Sequence, residues 1–231
     1  MSRLGIVCGV TAEKAALGLL VDDDRLRCGV AGASPERAEV LAREMVEDFG
    51  CTALLSFGVS GALSDALRPG DIALARHVVM GDGTRIASER GWVPELSRAA
   101  RAAGLVLKHV DMTEAGDVVA DPAAKRALAA RTGAHAVDLE SGAVAQVARA
   151  HGIPFTALRA ISDGVDHTLP HAALGAVGPG GDIRVAHVLV RLAAMPQDLP
   201  AMIRLARGSS KGFGSLGRCA RHILPGLLGI V

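Results

Sequence analysis

The segment AVDLESGAVAQVARAHGIPFTALRAISDG, residues 136–164, contains the unit that decides the fold. Small and apolar residues at helical spacing predict a helix over 140–151, and Gly152 with Pro154 just beyond it is typical of a helix end. The apolar run FTALRAIS that follows, residues 155–162, predicts a buried strand. A helix that leads directly into an apolar strand favours an α/β protein.

The rest of the chain continues this alternation. Further strands are predicted over 4–10, 51–58 and 105–112, and further helices over 34–49, 94–103, 122–131 and 183–194. The segment 68–81 is predicted to open with a Pro-Gly turn and to continue as another strand. Strands that are apolar on both faces need helices on both sides of the sheet. The sequence therefore predicts a single α/β domain with a mixed central sheet flanked by helices. We expect residues 1–194 to form its body and residues 195–231 to form a basic amphipathic C-terminal extension.

Composition excludes several classes of protein. The aromatic fraction is 2% with no Tyr, which argues against a stacking platform for nucleic acid. No apolar run reaches the length of about 18 residues that a membrane span needs. The four cysteines form no C-x-x-C pair, as is typical of the reduced cytoplasm. His167 and His171 are separated by Pro170 and lack a third ligand, so we expect neither a metal nor a cofactor.

Acidic and small polar residues follow the predicted strands. They are Glu13 after the first strand, Ser60 and Gly61 after strand 51–58, and Asp163 after strand 155–162. Ligands of α/β proteins bind outside the carboxyl ends of the strands, so these residues can meet at one rim. Asp138 and Glu140 add two carboxylates at a helix start. A cap explains that pair equally well, because a negative charge there is favoured by about 0.3–1 kcal/mol.

These blocks resemble a known superfamily. GIVCGVTAEKAAL (5–17), FGVSGALSDALRPGDI (57–72) and the segment 136–164 are similar to nucleoside phosphorylases and nucleosidases. The closer likeness is to methylthioadenosine/adenosylhomocysteine nucleosidases. Closest of all are the hopanoid-associated phosphorylase-like proteins, which are thought to remove adenine from adenosylhopane. The likeness covers residues 3–194.

The resemblance implies two catalytic carboxyl groups. Asp163, the acid of the R-x-I-S-D block, would bind purine N7 and protonate the leaving base. Glu13 would activate the attacking water. The chemistry agrees, because the purine leaves poorly as an anion and the sugar becomes oxocarbenium-like. An acid at N7 relieves the first problem and a carboxylate near the sugar relieves the second.

The resemblance also implies the residues that bind the substrate. Glu140 would accept the ribose 2′- and 3′-hydroxyls, Leu139 would lie against the sugar, and Ser60 and Gly61 would form the turn beneath the ribose. Val119 stands near the position where the nucleosidases carry a Phe, so it offers adenine only an aliphatic wall. Ala120 would present its backbone to the adenine edge.

The nucleophile is predicted from what the phosphate-dependent relatives have and this chain lacks. Those relatives carry Arg residues after the first strand and in the Gly-rich strand, where this chain has CGVTAEKAA (8–16) and Ser56. Without a guanidinium fork a phosphate site is less credible, and hydrolysis is favoured. Lys14 is the nearest cation, and Arg85 or a neighbouring subunit remains an alternative source of an Arg.

The C-terminal extension is basic and amphipathic. All acidic residues lie at or before Asp198, and the five basic residues beyond it are Arg204, Arg207, Lys211, Arg218 and Arg221. One side of a helical wheel carries Phe213, Leu216, Ala220, Ile223, Leu224 and Leu227. The pattern is compatible with contact to an anionic membrane and with packing on the domain or a partner subunit. Gly212, Gly214 and Gly217 weaken such a helix, each by up to about 1 kcal/mol.

The sequence thus predicts an N-glycosidase that releases adenine from a 5′-modified adenosine, with lipid-linked adenosylhopane as the favoured substrate. The alternatives are a methylthioadenosine/adenosylhomocysteine nucleosidase, a phosphate-dependent purine nucleoside phosphorylase, and a nucleoside-binding module without catalysis. We expect a homodimer or larger homo-oligomer in the cytoplasm, meeting a lipid-linked substrate at the inner face of the membrane, and no nucleic-acid partner.

Overall fold

The strands of the computed structural model, which describes residues 2–231, form one mixed sheet. They are β1 Leu4–Cys8, β2 Leu26–Val30, β3 Ala53–Ala62, β4 Ile72–Val79, β5 Arg85–Ala87, β6 Leu107–Glu114, β7 Ala136–Asp138 and β8 Phe155–Asp163. The order is β2-β1-β3-β7-β6-β4-β5, and β8 pairs with both β3 and β4, which closes a ring of five strands. Because β1 and β8 both run parallel to β3, their carboxyl ends meet at one edge.

Helices cover both faces of this sheet. They are α1 Thr11–Ala16, α2 Pro35–Glu47, α3 Val93–Ala102, α4 Pro122–Thr132, α5 Ser141–His151, α6 Val185–Ala194, α7 Leu199–His222 and α8 Leu224–Leu228. Helices α2 and α5 build the core on one face, and α3, α7 and α8 build it on the other. The predicted α/β architecture is therefore confirmed.

Local sequence signals explain where several helices begin and end. The Ser34 hydroxyl accepts the Arg37 amide at the start of α2, and the Asp121 carboxylate accepts the Ala124 amide at the start of α4. Gly152 ends α5 with φ 63°, a left-handed conformation that glycine adopts without strain. These caps place α4 and α5 directly before the strands and loops that line the site.

The predicted strands correspond to β1, β3, β4, β6 and β8, with bounds that differ by a few residues. The strand predicted over 51–58 continues to Ala62, because β3 exchanges its partner from β1 to β7 and pairs with β8 along most of its length. The turn predicted at the start of 68–81 is present, since Arg68 and Asp71 close it with a 2.9 Å backbone hydrogen bond, and the strand begins at Ile72. The extension of β3 arises from pairing, which a single-strand pattern does not contain.

The apolar stripe of the C-terminal extension packs on the sheet. Leu216, Ala220 and Ile223 are fully buried on the β8 side of the core. A side-chain carbon on Gly208 would lie 2.2 Å from the Ser162 carbonyl oxygen, so this glycine lets α7 approach β8. Packing on the domain is thus what the structure shows for this stripe. Among residues 2–231, no helix has the length and apolar character needed to cross a bilayer.

Candidate active site

A cavity of about 280 Å³ opens at the carboxyl ends of β1, β3 and β8. Glu13, Glu140 and Asp163 all line it, and each is at most 5% exposed. The other sequence-predicted residues in its lining are Leu139, Ser60, Gly61 and Val119. Ala120 is not in the lining, and its carbonyl accepts the Leu169 amide at 2.7 Å. A larger groove of about 980 Å³ between α1 and α7 contains none of the three carboxylates.

Glu13 reaches the cavity from α1, directly after β1. Its Oε2 accepts the amides of Gly9 and Val10 at 2.6 and 3.0 Å, and its Oε1 accepts the Val59 amide at 2.7 Å. Burial raises the pKa of Glu13, although the charge of Arg159 and these three amides act in the opposite direction. A fixed carboxylate whose pKa is raised is suited to accept a proton near neutral pH.

Arg159 of β8 lies beneath the carboxylates and is fully buried. Its Nη2 donates to Ser56 Oγ at 2.6 Å and to Glu140 Oε2 at 3.2 Å. Its Nε lies 2.9 Å from Asp138 Oδ2 and forms an ion pair with it. The angle at the proton is not that of a hydrogen bond. Burial opposes its charge, yet Asp138, Glu140 and Glu13 together raise the pKa of Arg159.

Asp138 and Glu140 do different work at the start of α5. Asp138 Oδ1 accepts the amides of Glu140 and Ser141 at 3.0 and 2.8 Å, so Asp138 is the helix cap. The Glu140 side chain makes no cap hydrogen bond and faces the cavity. Burial, together with the charges of Asp138 and Glu13 and against that of Arg159, raises the pKa of Glu140 to about 8.

Two glycines make room for this cluster of charges. A side-chain carbon on Gly9 would lie 2.5 Å from Glu140 Oε1. A side-chain carbon on Gly58 would lie 2.4 Å from both Arg159 Nη1 and Glu13 Oε1. Real side-chain carbons do not tolerate such distances, so any other residue at either position would displace the charged groups from the arrangement described here.

Asp163 ends β8 and is held by two neighbours. Its Oδ2 accepts from the Lys125 ammonium at 2.5 Å, and its Oδ1 accepts from the Ser162 hydroxyl at 2.7 Å. The strand FTALRAIS that leads to Asp163 is largely apolar, yet the structure places a buried cation against this carboxylate. Lys125 comes from the first turn of α4 and is 1% exposed.

Ser60 and Gly61 lie where β3 shifts its register against β8. The shift brings Gly61 opposite Asp163 instead of Ser162. The Ser60 hydroxyl is buried at the cavity and is among the buried polar atoms of residues 2–231 that have no hydrogen-bond partner. Buried hydroxyls are normally paired, so this one is free for a bound molecule.

Sequence reasoning missed Arg159 and Lys125. Arg159 stands within the quoted R-x-I-S-D block, and an Arg inside an otherwise apolar strand was the available signal of a buried ion pair. Lys125 gave no such signal, because it stands in the helical pattern DPAAKRAL (121–128), where a Lys ordinarily faces solvent.

The fold and the cavity define an α/β protein that can bind a small polar molecule at its strand ends and exchange protons with it. Residues 12–194 match the family model described as the phosphorylase superfamily. The chain belongs to the phosphorylase superfamily.

Two relatives carry the same name, 5′-methylthioadenosine/S-adenosylhomocysteine nucleosidase. The protein of Treponema pallidum is 26% identical over 176 residues, which cover 59% of this chain and 65% of the relative. The protein of Mycobacterium bovis is 26% identical over 216 residues, which cover 69% of this chain and 85% of the relative. The match therefore spans slightly less than two thirds of the Treponema protein.

Solved structures show the same fold. Native futalosine hydrolase of Helicobacter pylori superposes with a TM-score of 0.74 at 17% identity, over 100% of this chain and 98% of that chain. The 5′-methylthioadenosine/S-adenosylhomocysteine nucleosidase of the same organism, in complex with a pyrrolidine compound, gives a TM-score of 0.73 at 17% identity, over 98% and 97%. At this identity the likeness concerns the fold.

Proposed function

We propose that this protein is a nucleosidase that cleaves the N-glycosidic bond of a 5′-modified adenosine and releases adenine. The observation that carries the proposal is the meeting of Glu13, Glu140 and Asp163, from three distant parts of the chain, in one buried cavity. The names of the two relatives support the same reaction class.

Each of the three carboxyl groups has a different role in the proposed reaction. Water attacks C1′ as the C1′–N9 bond breaks, and the electron pair of that bond moves onto the purine. Glu13 takes the proton of the water, and N7 of the purine receives a proton through Asp163. Glu140 accepts the ribose hydroxyls, with Leu139 against the sugar and Val119 against the base. The negative charges near the sugar stabilise its developing positive charge.

Water is the nucleophile that the cavity favours. Among the described residues in its lining, none is Lys or Arg. Arg159 is fully buried and engaged by Ser56 and Glu140, and Arg85 pairs with Asp111. A phosphate ion would therefore meet carboxylates without a free guanidinium, which disfavours its binding.

The 5′-substituent is proposed to be apolar. One side of the cavity is lined by Leu169, Ala173, Leu174, Val177 and Leu205. Such a wall suits the hydrocarbon of adenosylhopane, which the resemblance makes the favoured substrate. The second candidate is methylthioadenosine or adenosylhomocysteine, which the names of the relatives favour.

A lipid-linked substrate would bring the protein to a membrane, and we place that contact on α6. On this helix Val185, Leu189 and Val190 are each at least 60% exposed. Residues 183–194 have no acidic residue and carry Arg184 and Arg191. The basic charge would repel a second copy of the same surface and attract an anionic bilayer.

Flotation with vesicles tests this contact. Val190→Asp should lose binding to vesicles that contain phosphatidylglycerol, while Val106→Asp, at a site 74% exposed on another part of the protein, should keep it. Equal binding of both variants would contradict the assignment to α6. The homodimer expected from the resemblance stays a prediction, which sedimentation of the same variants would test.

The decisive experiment for the function measures adenine release from adenosylhopane in detergent and from methylthioadenosine, each with and without phosphate. Faster release from adenosylhopane without phosphate supports the full proposal. Faster release from methylthioadenosine supports the second candidate, and strict phosphate dependence overturns hydrolysis. Tight nucleoside binding without adenine release at high enzyme concentration would instead indicate a non-catalytic binding module.

A further inference from the structure

Lys125 is a buried lysine at the purine end of the cavity whose protons all have acceptors. Its Nζ lies 2.5 Å from Asp163 Oδ2, 2.9 Å from the Gly164 carbonyl oxygen and 3.0 Å from the His167 carbonyl oxygen. We assign Lys125 as an ammonium ion, because its three protons match these three acceptors. A buried ammonium ion needs a buried counter-ion, and Asp163 is the carboxylate in contact with it.

The same contacts define the state of Asp163. One carboxylate oxygen accepts from Lys125 and the other accepts from Ser162, so both act as acceptors. A carboxylate whose two oxygens both accept hydrogen bonds has no proton of its own to give. The role proposed for it, to protonate the leaving purine, requires a proton source within hydrogen-bonding distance.

Lys125 also connects the elements around the proposed purine site at Asp163 and Val119. It joins α4 to the loop 164–167 that follows Asp163. Just after this loop, the hydrogen bond from the Leu169 amide to the Ala120 carbonyl ties the chain to the segment before α4. The neighbouring residues Val118 and Val119 line the cavity, so the acid and the base-binding wall share one support.

We infer that Lys125 is the positioning residue of Asp163 and supplies, through it, the proton of the leaving purine. This inference rests on the proposed function. As the C1′–N9 bond breaks and its electron pair moves onto the purine, a proton passes from Nζ of Lys125 to Asp163 and from Asp163 to N7. Lys125 is left neutral and regains a proton from solvent after adenine departs, while the proton that Glu13 took from water returns to solvent.

The test compares two leaving groups in two variants. Lys125→Met removes the proton source, and Lys125→Arg keeps the positive charge but holds its protons too tightly to release one. With the adenosine substrate both variants should lose about 100-fold or more in kcat, the size expected for a lost proton transfer. With 4-nitrophenyl riboside, whose leaving group needs no proton, the loss should stay below about 3-fold.

Lys108→Met is the matched control. Lys108 also binds a carboxylate and a backbone carbonyl, Asp71 Oδ2 at 2.8 Å and Ala66 O at 2.6 Å, but its partner Asp71, unlike Asp163, does not line the cavity. This variant should keep the rates of the wild-type protein on both substrates. Melting curves of all variants report whether they fold, and the ratio of the two rates is independent of the folded fraction.

Three outcomes overturn the inference. Equal losses on both substrates would mean that Lys125 only maintains structure. Recovery of adenine release in Lys125→Arg would show that charge and position suffice and that no proton is supplied. Unchanged adenine release in Lys125→Met would exclude any role. A wild-type protein that releases adenine from no adenosine derivative would instead overturn the proposed function, and that measurement precedes the variants.

Discussion

Arg159 and Glu140 form an ion pair in the interior of the protein. Nη2 of Arg159 lies 3.2 Å from Oε2 of Glu140, and both side chains are at most 5% exposed. Burial nevertheless raises the pKa of Glu140 to about 8, and the negative charges of Asp138 and Glu13 act in the same direction. Much of Glu140 is therefore protonated at neutral pH. A protonated carboxyl accepts hydrogen bonds from ribose hydroxyls less well than a carboxylate does.

Nucleoside affinity should consequently rise with pH. As pH increases through about 8, Glu140 ionises and Kd for a non-hydrolysable adenosine C-nucleoside should fall, by at most about ten-fold per pH unit. Calorimetric titrations between about pH 6.5 and pH 9 measure this. Glu140→Gln should bind more weakly and without the pH dependence. An unchanged slope in that variant would assign the titration to another group.

Asp163→Asn should slow turnover strongly and keep the secondary structure, while lowering the melting temperature because Lys125 loses its counter-ion. The amide has the shape of the carboxyl group but cannot relay a proton, so adenine release should fall by about 10²–10⁴-fold. Adenine release is followed by a coupled assay, and circular dichroism checks the secondary structure. Ser64→Ala, a substitution outside the cavity lining, serves as a control. Release at the wild-type rate in Asp163→Asn would remove Asp163 from the mechanism.

Much of the fold was predictable because its signals are local. The unit 140–162 shows this: helical spacing, Gly152 at the helix end and an apolar strand each point to the same structure. The strand-end argument also predicted that Glu13 and Asp163 would meet, since parallel strands share an edge. The length of β3 was not predictable, because its last residues are strand only through their pairing with β7 and β8.

The arrangement of the side chains within the site could not be predicted from the sequence. Asp138 and Glu140 stand two residues apart at a helix start, and only the backbone turn between them decides which one caps the helix. Lys125 was missed because helical spacing does not tell which long side chain turns inward. The stripe of the C-terminal extension was visible in the sequence, but an amphipathic pattern reports an apolar face and not the surface that covers it.

Loss of Arg159 should destabilise the protein strongly. Arg159→Met leaves the carboxylates of Asp138, Glu140 and Glu13 near one another without their shared cation, and removing one partner of a buried ion pair costs about 3–5 kcal/mol. Arg98→Met, which breaks the exposed pair with Glu95, should destabilise the protein far less, because solvent screens that pair. Urea unfolding at neutral pH compares the free energies. A loss in Arg159→Met as small as that in Arg98→Met would contradict the charge cluster described above.

Alanine substitutions along α7 should have opposite effects at two glycines. Gly208→Ala would place a carbon 2.2 Å from the Ser162 carbonyl oxygen, beside Asp163, so we expect a lower melting temperature and slower adenine release. Gly214→Ala meets no atom within 4 Å and should stabilise the helix by about 0.5–1 kcal/mol without changing the rate. Thermal unfolding and adenine release of both variants measure this. If Gly208→Ala were as stable as Gly214→Ala, α7 would not depend on a glycine to contact β8, and the packing of the extension would need another explanation.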